Sequence, residues 1–156
     1  MRRLALAALS IGLAACGPTL AATAQPPHAR ATSAAEAQLF SLDKGFMFPL
    51  ANGGRVPIEN GWIEPHFSPF PPQRDADVDI VVGTDSGRAS DADVTVSYEM
   101  LEMAHGATTV RGDPAAGGHH HVHMAMGMYG TWQMKVHVVL DGVTSTSVIV
   151  LSGAGQ

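Results

Sequence analysis

Cysteine is almost missing from this chain of 156 residues, which holds one, Cys16. No disulfide can form within a single chain, even in an oxidising compartment that would permit one. Basic residues are also scarce, with Lys plus Arg at 9 against 14 Asp plus Glu. Removal of residues 1–15 takes Arg2 and Arg3 away, leaving 7 basic residues and a formal charge of −7. That balance argues against a nucleic-acid partner, whose phosphates select basic surfaces. No apolar run is long enough for a permanent membrane helix: the longest, Leu4 to Ala15, is about 12 residues, and crossing the hydrocarbon takes roughly 20. No extended stretch beyond it has helical period, and no nucleophile elbow, phosphate loop or zinc-protease spacing appears. Nothing therefore predicts an enzyme.

What is present begins with Arg2-Arg3 ahead of that apolar run, the layout of a signal peptide over residues 1–15. Leu13-Ala14-Ala15-Cys16-Gly17 follows, a branched residue and two small ones before cysteine. This lipobox predicts cleavage before Cys16 and its acylation, the alternative being an ordinary cleavage site beside a free thiol. More than one acyl chain on Cys16 would tether the protein stably to a membrane. The expected location is extracytoplasmic and lipid-anchored. Gly17 rather than Asp after the cysteine predicts the periplasmic side of the outer membrane in a Gram-negative host.

Residues 16–38 are rich in Ala, Thr and Pro and read as a flexible linker. Within it Ser33-Ala34-Ala35-Glu36 has the spacing of a capping box, which would start a short helical turn towards Leu39. Residues 39–72 carry all five phenylalanines, Trp62 and six of the ten prolines. Large aromatic areas predict packing on the core, with Trp62–Phe67 as the first strand and Pro69, Pro71 and Pro72 ending it. The domain proper spans residues 73–152, and there the period is two. Val78, Ile80 and Val82 alternate with Asp79, Val81 and Gly83. Val94, Val96, Tyr98 and Met100 share one face, as do Trp132, Met134, Val136, Val138 and Leu140. Asp141-Gly142 favours a type I′ hairpin turn into Val143–Leu151. With His119–Met126 this makes about six to seven strands, an all-β, immunoglobulin-like sandwich; a small closed barrel is the alternative.

Two clusters could carry chemistry. Met100 to His105 follows one strand, and His119-His120-His121-Val122-His123-Met124-Ala125-Met126-Gly127-Met128 is denser; together they hold five of eight histidines and five of eight methionines. In an extended segment His119, His121 and His123 share a face, roughly 6.5–7 Å apart along the strand, close enough for two rings to swing onto one ion. Imidazole suits copper, zinc and nickel, while thioether selects Cu(I). The mixture points to copper, with Met103, His105, His119, His121, His123, Met126 and Met128 as candidate ligands. Met100 and Met134 are assigned to packing. Asp75, Asp77, Asp79, Asp91 and Asp93 read as solvated rim carboxylates. His66 is either a surface residue or a further contributor, and His28 has no evident partner. The rival expectation is a metal-free adaptor presenting a sandwich surface to an oxidase subunit or efflux component.

The order Pro71-Pro72, Val78–Val82, Asp85 to Gly87, Val94-Thr95-Val96, Met100-x-x-Met103-x-His105 and then Met128-Tyr129-Gly130-Thr131-Trp132 before a final hairpin resembles the YtkA-like domain family. A looser likeness connects it to FixH-type oxidase-assembly proteins. The resemblance covers residues 71–151. It implies an immunoglobulin-like extracytoplasmic domain, frequently linked in such families with copper handling or oxidase assembly, and does not imply an enzyme. The chain departs from the pattern in lacking Pro within Met100–Met103 and in its richer histidine run.

Overall fold

The computed structural model describes residues 38–89, 91–103 and 105–155. The signal segment, Cys16, the linker up to residue 37 and the capping-box spacing at Ser33–Glu36 lie outside the described residues. Gln38 and Leu39, placed by sequence at the end of that linker and its helical turn, already belong to a strand, so the expected boundary moves.

The described chain is all β. Its strands are β1 (Gln38–Asp43), β2 (Phe46–Leu50), β3 (Val56–Ile58), β4 (Gly61–Ser68), β5 (Asp75–Thr84), β6 (Gly87–Arg88), β7 (Asp93–Met100), β8 (Thr108–Arg111), β9 (Asp113–Ala115), β10 (His119–Ala125), β11 (Gly130–Leu140) and β12 (Val143–Ala154). They form two sheets. The first runs β2-β1-β12-β11-β7-β8 and the second β3-β4-β5-β10-β9, with β6 pairing the end of β5. Two separate sheets face to face make an immunoglobulin-like sandwich rather than a closed barrel.

Alternation explains which side chains meet. Val94, Val96 and Tyr98 of β7, Trp132, Met134, Val136, Val138 and Leu140 of β11, and Ile149 and Leu151 of β12 form the inner face of the first sheet. Ile63 and Phe67 of β4, Val78, Ile80 and Val82 of β5, and Val122 and Met124 of β10 meet them from the second. Each large aliphatic side chain removed from water contributes about 1.5–3 kcal/mol. Tyr98 spans the layers, its hydroxyl accepting the Ala125 N–H at 3.1 Å. The β11–β12 turn is the expected type I′, with φ of 51° at Asp141 and 77° at Gly142. Lys44-Gly45 turns β1 into β2 with positive φ of 48° and 85°.

The main differences from expectation lie in the aromatic, proline-rich segment. Trp62–Phe67 falls in the fourth strand, not the first, because residues 38–58 already supply three. Only Phe67 of the phenylalanines is fully buried; Phe46, Phe48 and Phe70 are exposed. Trp62 is half-buried, lying under the Arg55 guanidinium at 4.0 Å and donating to the Thr84 carbonyl at 3.2 Å. Twelve strands instead of six or seven arise because β2, β3, β6, β8 and β9 are short edge pieces of five residues or fewer, too short to display a period.

Candidate metal-binding face

β10 pairs with β5, and its inward residues are those that lie beside Val78 and Ile80. His120, Val122 and Met124 therefore turn into the core, and His119, His121 and His123 are left on the outer face of the second sheet. Cross-strand register then assembles rows on that face. His121 stands opposite Asp79 of β5 on one side and Asp113 of β9 on the other, and His66 of β4 is the next neighbour of Asp79. His123 stands opposite Asp77, which is paired with Ser68.

The imidazoles are held by carboxylates. His119 Nδ1 lies 2.7 Å from Asp79 Oδ2, and His121 Nδ1 lies 3.4 Å from Asp79 Oδ1. His123 Nδ1 is 3.0 Å from Asp77, and its Nε2 is 3.8 Å from Asp75. A carboxylate at Nδ1 fixes the tautomer that leaves Nε2 free to bind, the arrangement that orients histidines in metal sites. His119 is an exception, since its Nε2 accepts from Arg88 Nη1 at 3.0 Å. His121 and His123 stay open to solvent. Asp79 Oδ1 is buried and lacks a hydrogen bond. It faces His121, so a ring anchored through Nε2, with its Nδ1–H turned in, would satisfy it. Among the described residues no set of three or more His, Cys, Asp or Glu side chains is arranged to hold a metal ion. The outer face thus offers two open imidazoles and flanking carboxylates.

The other candidates are dispersed. Met126 is fully buried in the core, because the chain keeps the inward parity of Met124 beyond the end of β10 and Met126 N–H bonds Arg74 O at 2.6 Å. Its expected role as a ligand is withdrawn. Met103 and His105 follow β7 in a turn of the first sheet, and Met128 lies in the β10–β11 connection with its carbonyl accepting from Trp132 Nε1 at 3.1 Å. The two segments meet at one end of the sandwich. Leu101 N–H bonds Thr131 O at 2.8 Å, and the Glu102 carboxylate accepts the Thr131 N–H at 3.0 and 3.1 Å. Hydrogen bonding from Thr131 holds the Glu102 carboxyl below its ordinary value. Met103 and Met128 are about 40% exposed there.

Sequence reading passed over Asp77 and Asp79 as partners and took them for rim residues. Asp75 and Asp77 are indeed exposed, whereas Asp79 bonds His119 and lies beside His121. The signal was two period-two runs of matched length, Asp75-x-Asp77-x-Asp79 and His119-x-His121-x-His123. His66 shares the row, but its ring packs over Gly53, and its Nε2 lies 3.9 Å from Glu64.

His120 was also missed. It is 2% exposed, and its Nδ1 is buried without a partner. Burial pushes its pKa below the ordinary 6.5, outweighing the nearby Asp93 and Asp79 charges that pull the other way. With the folded value lowered, the unfolded chain takes up the proton first as pH falls. This contribution is present in full above 6.5 and is lost below it, down to the folded pKa. We expect His120→Leu, which removes the unpaired polar atom, to flatten the loss of stability between about pH 7.5 and 5. Thermal unfolding of both proteins across that range measures it, and parallel curves would contradict the assignment.

Comparison with known proteins finds no relative: no protein-family model, no curated protein and no solved structure matches this chain.

Proposed function

We propose that this chain is an extracytoplasmic β-sandwich lipoprotein, tethered through Cys16, that takes up copper on the outer face of its second sheet and passes it to a copper-handling, oxidase or efflux partner. The observation that carries the reading is the carboxylate row behind the histidines: Asp79 bonds His119 at 2.7 Å, Asp77 bonds His123 at 3.0 Å, and Asp79 Oδ1 lies 3.4 Å from the exposed His121. His121 and His123 would hold the ion, since their two rings are exposed and neighbours on one strand face. Imidazole with carboxylate suits Cu(II), or Zn(II), better than Cu(I). Met103, His105 and Met128, in the two segments joined through Thr131, supply the softer donors. The likeness to YtkA-like domains is consistent with copper handling. A two-imidazole, solvent-open site suits exchange rather than storage.

Competition titration of the purified chain with Cu(II), Zn(II) and Cu(I) tests this. His121→Ala with His123→Ala should lower Cu(II) affinity by about tenfold or more, and Asp79→Asn by about tenfold through the lost orientation. Met103→Ala with Met128→Ala should leave Cu(II) binding intact. A Cu(II) affinity no better than that of a free His-rich peptide would favour the adaptor reading. That alternative is supported by exposed Leu101, Met103, Met128 and Tyr129 clustered in the two segments joined through Thr131.

A further inference from the structure

The first sheet is wider than the sheet it faces. β3, the free edge of the second sheet, lies against β12, so the β1–β2 hairpin projects beyond it. Register puts Leu39, Ser41 and Asp43 of β1 and Leu50, Phe48 and Phe46 of β2 on the face that carries Leu151 and Ile149 into the core. Leu50 packs on that core, because residues just after it cross to the second sheet and Gly53 N–H bonds Pro65 O at 2.8 Å. Towards the Lys44-Gly45 turn the cover is lost: Phe48 is 50% and Phe46 70% exposed. Side chains patterned for a core thus have no layer beneath them. A cleft of about 120 Å³ between Ser41 and Asp43 of β1 and Val56 and Pro57 of β3 opens at this place.

We propose that the overhang is a self-association surface, on which two copies related by a two-fold axis lap their β1–β2 hairpins, each filling the gap beneath the other. The two free edges on this side, β2 of one sheet and β3 of the other, make the shape self-complementary. The partner copy's β2 enters beneath the overhang next to β3, and its Phe46 and Phe48 meet the same pair across the layers. Pro57 at the centre of β3 and Pro49 in β2 have no N–H, so the copies meet through side chains and not through a continued ladder. With Phe46 70% and Phe48 50% exposed, the four rings leave roughly 400–600 Å² to cover, and with the hairpin turns this is the size of a weak, reversible contact below the roughly 1,200 Å² of stable interfaces. The chain before β1 has little to offer as a cover, since Leu20 is the only large apolar residue between Gly17 and Ala37.

Sedimentation velocity tests this on the chain begun at Gly17, which carries neither lipid nor the apolar segment Leu4–Ala15 and keeps the whole core from Leu39 onward. A reversible dimer should appear between about 1 and 100 µM. Phe46→Ser with Phe48→Ser should weaken it by about tenfold or more. Far-UV circular dichroism and Tm should be unchanged, since both side chains are largely exposed. A monomer at every concentration, or a dimer equally tight in the double variant, would overturn the proposal. So would a monomer that co-sediments with phosphatidylethanolamine–phosphatidylglycerol vesicles, which would assign the face to lipid. Cu(II) titration of the double variant should match the parent, so the metal reading stands or falls separately.

Discussion

Met126→Ala is expected to cost about 2–5 kcal/mol of folding stability while leaving Cu(II) affinity unchanged. Met126 is fully buried among the apolar side chains that join the sheets, and truncation to Ala leaves a cavity that close packing cannot fully collapse. Met128, two residues on and 40% exposed, is the control: its replacement by Ala should change stability by no more than about 0.5 kcal/mol. Urea unfolding of the two variants beside the parent, with copper titration of each, separates packing from ligation. A Met126→Ala protein that keeps its stability and loses copper would restore the methionine as a ligand.

Cys16→Ser, on the proposed lipoprotein reading, should abolish lipid attachment altogether and leave an uncleaved precursor. Folding should survive, because the core begins at Leu39 and is built from β1 to β12 without a covalent link to residue 16. Cell fractionation combined with fatty-acid labelling checks this. The wild-type chain should be labelled and sediment with membranes, and the variant should be unlabelled. An unlabelled, freely soluble wild-type protein would remove the lipid anchor from the proposal, without touching the predictions for the sandwich.

The strands that sequence found are the long ones. β5, β7, β11 and β12 each have at least eight residues, enough for alternation to show which face turns inward. The same rule, carried through β10, correctly set His119, His121 and His123 apart from His120 and Met124. It failed at Phe46 and Phe48, which have the composition and parity of core residues, yet whether a core layer reaches them depends on the width of the opposing sheet. At Met126 the rule held, since the inward parity of Met124 continues past the end of β10, and the ligand assignment followed the methionine-rich composition instead.

By itself the sequence determined the all-β class, the inward and outward residues of the long strands, and the Asp141-Gly142 hairpin, because each depends on backbone preferences within a few neighbouring residues. Only the tertiary structure decided that Asp79 would anchor His119 across 40 positions of chain, and that Leu101 and Glu102 would meet Thr131 at one end of the sandwich. It also decided that the β1–β2 hairpin would overhang its partner sheet. Strand order and register are set by the packing of the whole core, and a period-two pattern says which way a side chain points without saying which strand lies beside it.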